Sequence, residues 1–318
     1  MDNAPKTKNR GEALSVAAFV TGGSGLLGEA VARRLSATNR VVASYRHVPA
    51  NVEVFDDCFG VTDTQSLLRG VPLDLVGEEV HDLLPECDTV IHLAQSHQYK
   101  DFPAGASDVF GVNTHATHKL LDAAMKKGAK RFIFASSGSV YHPSDHLLTE
   151  KSPLADPWQQ GHYAATKRAS ELLCSAYASK MTIIILRFFF IYGPRQNASM
   201  LVPRLIDSVR KERALKLQGQ DGFRLNPIFV EDAAEAVIAA SRLEASTIVN
   251  VAGPEVVTFR QLGEAIGSAV GRKVQFDAVQ AIPQHCAADV SHMCRLLTPP
   301  ATGILAGIKR MVDFTVAG

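Results

Sequence analysis

The sequence predicts an α/β protein, a doubly wound parallel sheet followed by a smaller C-terminal lobe. Three observations predict it. Apolar, strand-like runs alternate with helix-like stretches over the first two thirds of the chain, the pattern of strands joined by crossover helices. A glycine-rich turn, Thr21-Gly22-Gly23-Ser24-Gly25-Leu26-Leu27-Gly28, follows the first run and opens a helix. Beyond Tyr192-Gly193-Pro194 the texture changes: strands shorten and prolines appear at Pro203, Pro227, Pro254, Pro283, Pro299 and Pro300.

The expected strands, in order, are Val16 to Val20, Val41 to Tyr45, Gly70 to Leu73, Thr89 to Leu93, Arg131 to Ala135 and Thr182 to Phe189. Each is a short apolar run of the length a buried strand needs. Between them, Gly28 to Ala37 reads as a helix, with Leu27, Val31 and Leu35 on one stripe. Asn113 to Lys127 reads as a second helix that Asn113 opens, and a third starts near His162 and ends near Ala178. Phe259 to Val270 reads as a peripheral helix of the lobe. The polar, charged stretch before Leu14 is expected to be disordered.

A chain of 318 residues buries a large core and lies near the size at which one core splits into two. A net charge of +1 with 20% charged residues gives no electrostatic footprint for nucleic acid or an anionic membrane. Met1 to Arg10 carries no apolar stretch of signal-peptide length. The most apolar window, Thr182 to Tyr192, is broken by Arg187 and is too short to span a bilayer. The cysteines Cys58, Cys87, Cys174, Cys286 and Cys294 are odd in number and lack metal-finger spacing, so reduced thiols, no metal site and a cytoplasmic location are expected.

The glycine turn carries the first functional signal. Gly22, Gly25 and Gly28 stand between a strand and a helix, where glycines let the backbone approach a pyrophosphate at the helix N-terminus. Dinucleotide folds of this kind place an acid about 20 residues further on, at the adenosine ribose. Here the second strand runs into Arg46 instead. A guanidinium clamps a 2′-phosphate through paired charged hydrogen bonds, which favours NADP over NAD, with Arg33 or Arg34 assisting. The alternative is a solvated Arg46 stacked on adenine.

Tyr163 and Lys167 carry the second signal. Four residues apart, they share a helix face, where an ammonium lowers the phenol's pKa and lets it shuttle a proton. A proton shuttle beside a nicotinamide is the minimum equipment for interconverting an alcohol and a ketone. His92, in a buried strand, reads as a satisfied core histidine, and Ser136 and Ser139 read as serving nearby backbone.

Taken in order, these segments resemble the extended short-chain dehydrogenase/reductase family of nucleotide-sugar epimerases, dehydratases and ketoreductases. The resemblance runs from about Ala17 to Phe314. It is carried by the glycine turn, Leu73-Asp74-Leu75, Asp88 to Ala94, Asn113, Ala135-Ser136-Ser137-Gly138-Ser139-Val140-Tyr141, Tyr163 with Lys167, Leu186 to Arg195, Val230-Glu231-Asp232, and Asn250 to Gly253. It implies a Rossmann-type domain of residues 14–192 and 225–252, with a substrate-binding lobe of residues 193–224 and 253–318. It also implies that Gly22, Gly25, Leu26, Leu27 and Gly28 hold the dinucleotide, that Asp74 and Leu75 meet the adenine, and that Leu93 and Ala94 line the crevice. Ser137 would bond the reacting sugar oxygen, Tyr163 would exchange the proton, and Lys167 would bond the nicotinamide ribose. A homodimer through the helices around Asn113 to Lys127 and His162 to Ala178 is implied as well.

Departures from the family pattern narrow the substrate. Gly138 and Ser139 stand where dehydratases carry an acid pair, which disfavours elimination of water. Phe190 replaces an asparagine that contacts the diphosphate of the substrate, and a ring offers none of the amide's hydrogen bonds. Arg224 and Asn226 resemble the phosphate-binding segment but sit one residue out of register. With Ser139 and Phe190 they form the expected substrate wall. The expectation is an NAD(P)-dependent 4-epimerase or 4-ketoreductase acting on a sugar, nucleotide-linked, with Arg46 favouring the reductase. A reductase of non-sugar ketones or aldehydes and a non-catalytic dinucleotide sensor are the alternatives; the presence of Ser137, Tyr163 and Lys167 together argues against the sensor.

Overall fold

The computed structural model describes residues 16–46, 67–77 and 80–316; Leu14 and Cys58 lie outside them. Six parallel strands, β1 (Val16–Thr21), β2 (Val41–Tyr45), β3 (Leu68–Pro72), β4 (Cys87–His92), β5 (Arg131–Ser137) and β6 (Thr182–Phe188), join an edge strand Thr247–Val251 in one seven-stranded sheet. Spatially the order is Thr247–Val251, β6, β5, β4, β1, β2, β3. Strand order therefore reverses between β1 and β4, which pair from Val16 with Cys87 to Thr21 with His92. Open α/β sheets bind ligands at such a switch point, outside the carboxyl ends of the strands. The sheet matches the expected doubly wound class, with the seventh strand contributed from beyond the lobe's first helix, Leu201–Arg210.

Both faces of the sheet are covered, so each strand is apolar on both sides rather than alternating. Ala18, Val20, Ile91, Ile133 and Ile184 point to one face and pack on Val31 and Leu35 of helix α1 (Leu26–Ser36) and on Val237. Their neighbours Phe19, Val90, Phe132 and Ile183 point to the other and pack on Leu120, Leu121 and Cys174. Each such fully buried side chain contributes roughly 1.5–3 kcal/mol of transfer free energy. A third core gathers Val202, Leu205, Leu215, Leu262, Ile266 and Ile308 in the C-terminal lobe. The helix Phe259–Val270 begins with a full capping box between Thr258 and Gln261 and ends on the left-handed Gly271.

Two expected boundaries moved for identifiable reasons. Helix α1 begins at Leu26, not Gly28, because Gly25 is its extended N-cap. Gly28 is glycine for packing: a Cβ there would lie 2.0 Å from the Gly22 carbonyl oxygen. The expected helix Asn113 to Lys127 is a composite of Ala106–Phe110, a π-helical turn Gly111–His115 and Ala116–Lys126. Asn113 therefore opens nothing; it sits inside the wide turn, a feature often placed at functional sites. Among the described residues, Cys87, Cys174, Cys286 and Cys294 are free thiols, and no helix is long and apolar enough to cross a membrane.

Candidate active site

The glycine turn closes onto the end of β4. Gly22 has φ +72°, and a Cβ there would stand 2.9 Å from the Cα and N of Ala94. Only glycine fits this left-handed close approach. Gly25 donates its N–H to the Gly22 carbonyl at 2.9 Å, and no side chain caps the N-terminus of α1. Free N–H groups at a helix start, behind a loop without side chains, form a cradle that fits the pyrophosphate of a dinucleotide. Leu27 is buried in the first core, so it faces this cradle with backbone alone; Leu26 packs toward the lobe instead.

Beneath the cradle a hydrogen-bond chain fixes the end of β4. His92 is fully buried, with Nδ1 2.7 Å from Thr21 Oγ1 and Nε2 3.0 Å from Thr117 Oγ1. The Thr117 hydroxyl donates to the Asn113 carbonyl at 2.6 Å, so the His92 ring must donate through Nε2 and accept at Nδ1. The Thr21 oxygen then accepts from the Ala94 N–H at 3.2 Å. Burial, aided by the Lys167 charge, pushes His92 down to about 3, so the ring is neutral. His92 is the satisfied core histidine the sequence indicated.

At the adenosine end, Arg46 does not stand open. Its guanidinium lies 3.2 Å from Asp108 and 3.7 Å from Asp74. Asp108 also receives the Ser96 hydroxyl, and that bond, ahead of Arg46, holds its carboxyl below the usual range against the opposing effect of burial. Asp74 accepts the Val76 N–H at 3.1 Å, and Leu75 is buried in the second core, so a base there would meet Leu75 mainly through its backbone. Arg33 pairs with Glu29, and Arg34 with Glu231 and Glu235, which corrects the expectation that either assists Arg46.

The helix His162–Ala176 presents Tyr163 and Lys167 across the end of β5. Lys167 is buried, and its Nζ donates to the Ala135 carbonyl at 2.9 Å while standing 5.9 Å from the Tyr163 ring centroid. Burial drives Lys167 down to about 8. Among the described residues its other two donors meet no acceptor, which fits the hydroxyls of a ribose. Tyr163 differs from expectation. Burial pushes its phenol up to about 12, and the counteracting influence is a hydrogen bond from Ser137 rather than the lysine. Ser137 in turn accepts the Ser139 hydroxyl at 3.0 Å and its N–H at 3.2 Å. The Tyr163 hydroxyl donates to Gln95 Oε1 at 3.1 Å. Ser139 is thus bonded to Ser137, and Tyr163 to Gln95, at the mouth of the crevice.

A buried ionic network underlies these residues. Glu171, one turn beyond Lys167, grips Arg187 of β6 through two bonds of 2.8 and 2.6 Å and accepts the Ser136 hydroxyl at 2.5 Å. Arg187 also donates to the Tyr141 hydroxyl at 2.7 Å, and Tyr141 donates to Asn250 at 2.8 Å. Burial works against the Arg187 charge, but Glu171 and Tyr141 outweigh it and hold the guanidinium above its usual range. The sequence reading missed this network. Its signal was a single arginine inside an otherwise apolar strand, since a buried arginine demands a partner.

On the lobe side, Phe190 adopts φ +48°, a conformation that asparagine tolerates better than an aromatic residue. Its ring lies 6.3 Å from that of Phe223, and both line a cleft of about 320 Å³ with Gln218, Ile282 and Gln284. The Arg224 guanidinium donates to the Asp145 carbonyl. Asn226 is buried, with its amide bonded to both the N–H and carbonyl of Ala288 at 2.9 Å and to the Gly253 carbonyl at 3.4 Å. The structure corrects the expectation for Asn226: its hydrogen bonds are spent on backbone, so it is a strut and not a substrate contact.

The fold and this geometry have known counterparts. A curated UDP-glucose epimerase of Bacillus subtilis, YtcB, itself described as uncharacterized, is 26% identical over 93% of this chain and 96% of its own length. The low-salt glycan biosynthesis protein Agl12 of Haloferax volcanii is 26% identical over 93% and 97%. Among solved structures, MoeE5 in complex with UDP-glucuronic acid and NAD is 25% identical, with a TM-score of 0.79 over 95% of this chain and 99% of that one. The UDP-glucuronic acid 4-epimerase of Bacillus cereus superposes with a TM-score of 0.83 over 95% and 99% at 22% identity. The model of the NAD dependent epimerase/dehydratase family matches residues 18–252, a span that takes in the cradle, the Ser137–Tyr163–Lys167 group and the whole central sheet save its first two residues, and the chain belongs to that family.

Proposed function

We propose that this enzyme inverts a ring carbinol of a nucleotide-linked sugar through a transient ketone, with Tyr163 carrying the proton. The observation that supports it is the convergence of Ser137, Tyr163 and Lys167 at the end of β5, in the crevice onto which the glycine cradle opens. NAD, bound along the cradle, supplies the hydride acceptor and donor. Gly22, Gly25 and the first turn of α1 hold its pyrophosphate, Leu93 and Ala94 its wall, Asp74 its adenine, and Lys167 its nicotinamide ribose. Ser137 bonds the reacting oxygen, and Tyr163 takes up and returns its proton.

Epimerisation is favoured over reduction because the surroundings of Arg46 do not suit NADPH. Two carboxylates surround one guanidinium at Arg46, which neutralises it and disfavours the dianionic 2′-phosphate. NAD is the coenzyme this arrangement fits, and a lower Michaelis constant for NADP than for NAD would reverse that choice. Dehydration stays disfavoured: a side chain at position 138 would run into the Phe189 ring, which a Cβ there would approach to 2.5 Å, and Ser139 is no acid. The relatives named for UDP-sugar epimerases and the UDP-sugar complexes of MoeE5 support a nucleotide sugar.

Tyr163→Phe removes only the proton path. Turnover of the nucleotide sugar should fall by roughly 10²–10⁴-fold, the span of general acid–base catalysis, while NAD affinity stays within about twofold. Activity within tenfold of the wild type would end the assignment. The reading includes a homodimer: Leu172 on the catalytic helix is 68% exposed and Phe110 ahead of the π turn is 54% exposed, large apolar side chains of the kind a second copy would cover. Light scattering at the monomer mass would remove it.

A further inference from the structure

Gln95 follows the wall residues Leu93 and Ala94, and its side chain stands in the crevice with Oε1 on the Tyr163 hydroxyl. Its position is built rather than incidental. The next residue, Ser96, is buried, and its N–H donates to Asn113 Oδ1 at 3.1 Å while its hydroxyl binds Asp108. Four residues on, the Tyr99 ring packs 5.1 Å from that of Tyr163, and Phe102 stacks on His162 at 5.2 Å. The segment after β4 therefore wraps the start of the catalytic helix and delivers one uncharged amide to one phenol.

Ser139 donates to Ser137, whose hydroxyl favours the ionised form of the Tyr163 phenol, and Tyr163 donates to Gln95. When the ketone is reduced, hydride from the bound dinucleotide would reach its carbon as Tyr163 gives its proton to the oxygen, so that the O–H bond breaks on the phenol and forms on the sugar oxygen. The phenolate then offers no donor and needs donors around it. Serine still supplies one. A glutamine is the side chain that meets the remaining need, because its terminal amide carries an acceptor and two donors on one planar group with a soft, two-fold torsion.

We propose that Gln95 is a further catalytic residue, accepting from the Tyr163 phenol and turning its amide to donate Nε2–H to the phenolate. No proton passes to or from Gln95; only its orientation changes. The inference rests on Tyr163 as the proton carrier. The other groups that face Tyr163 are Lys167 from its own helix, Ser137 from β5 and Tyr99 from the segment after β4. Of these, Ser137 favours the phenolate, while Lys167 donates to Ala135 and keeps its remaining donors for the nicotinamide ribose in the proposed reading.

The test replaces Tyr163 by difluorotyrosine, whose lower intrinsic pKa brings the titration into the range where the protein is folded and whose ring fluorines report protonation by NMR. The NAD-loaded protein is titrated with Gln95, Gln95→Ala and Gln95→Glu. Gln95 is exposed, so these variants fold. A charge-assisted bond to the phenolate outweighs the neutral bond to the phenol. Gln95→Ala should therefore raise the midpoint on the order of one unit, a tenfold weaker acid, and Gln95→Glu should raise it further. A midpoint that stays or falls in Gln95→Ala overturns the proposal, since a glutamine that only accepts would leave or lower it when removed. Failure of the underlying reading is separate: Tyr163→Phe would then keep its turnover whatever the fluorine titration gives.

Discussion

On the sheet side of the crevice, Ser137, Tyr163 and Lys167 are positioned by polar groups that are buried and paired: Asn113 below Ser96 and Thr166, His92 between Thr21 and Thr117, Glu171 on Arg187. On the lobe side, Phe190 holds a left-handed backbone with an aromatic ring, Arg224 rests on a loop carbonyl, and Asn226 is consumed by Ala288. The difference separates two tasks. Proton and hydride chemistry tolerates little displacement, and on the sheet side each positioning group is buried and hydrogen-bonded. Recognition of the distal part of a substrate is spread over several contacts and is free to be rebuilt, and here Phe190 pairs with Phe223 on the lobe side.

The sharpest way to break that comparison is to cut the network beneath the sheet side. Glu171→Gln leaves the Arg187 charge buried without its carboxylate. Removing one partner of a buried pair costs roughly 3–5 kcal/mol, so urea unfolding should show a loss of that size. Turnover should fall as well, because Glu171 lies one turn beyond Lys167 on the same helix. A loss below about 1 kcal/mol, the range of exposed pairs, would mean the catalytic helix is held by its apolar contacts alone.

That network also marks where sequence reasoning stopped. The strands were legible because apolar runs of fixed length between glycines and polar stretches leave few alternatives, and Tyr163, Lys167, Ser137 and the glycine turn were legible because their spacing is local. Gln95, Asp108 and Glu171 were not. Each acts through a partner 16 to 68 positions away, and nothing in a linear pattern distinguishes a glutamine facing a phenol from one facing water. Arg46 illustrates the cost: its placement was read correctly, but its two carboxylates come from the loop after β3 and from the helix Ala106–Phe110.

A smaller effect sharpens the comparison through pH. Lys167 titrates at about 8 in the folded protein against 10.5 for the free side chain. Between those values the unfolded chain binds a proton that the folded protein lacks, so this lysine makes stability rise with pH across that window. Below pH 8 the full cost of burying the cation applies; above 10.5 it is gone. The change is roughly 3 kcal/mol at 1.36 kcal/mol per unit. Cys87, Cys174 and Cys286 pull the other way, since burial raises their thiols, so the measurement is the difference between wild type and Lys167→Met. That difference should climb from pH 8 to 10.5, and a flat difference would show that water reaches the lysine.

The smallest expected effect belongs to the lobe side. The Arg224 guanidinium meets one loop carbonyl, and the residue is only half-buried, so Arg224→Ala should cost less than about 1 kcal/mol of stability. If the arginine helps hold the phosphates of a bound nucleotide sugar, it does so equally before and during hydride transfer, and such uniform binding appears in the Michaelis constant alone. Steady-state kinetics should then give a Michaelis constant raised several-fold with kcat within about twofold. The opposite pattern, a fall in kcat at constant Michaelis constant, would place Arg224 with the chemistry and erase the division between the two sides. No change in either would leave the substrate's grip to the aromatic cleft of Phe190 and Phe223, and with it the larger share of specificity.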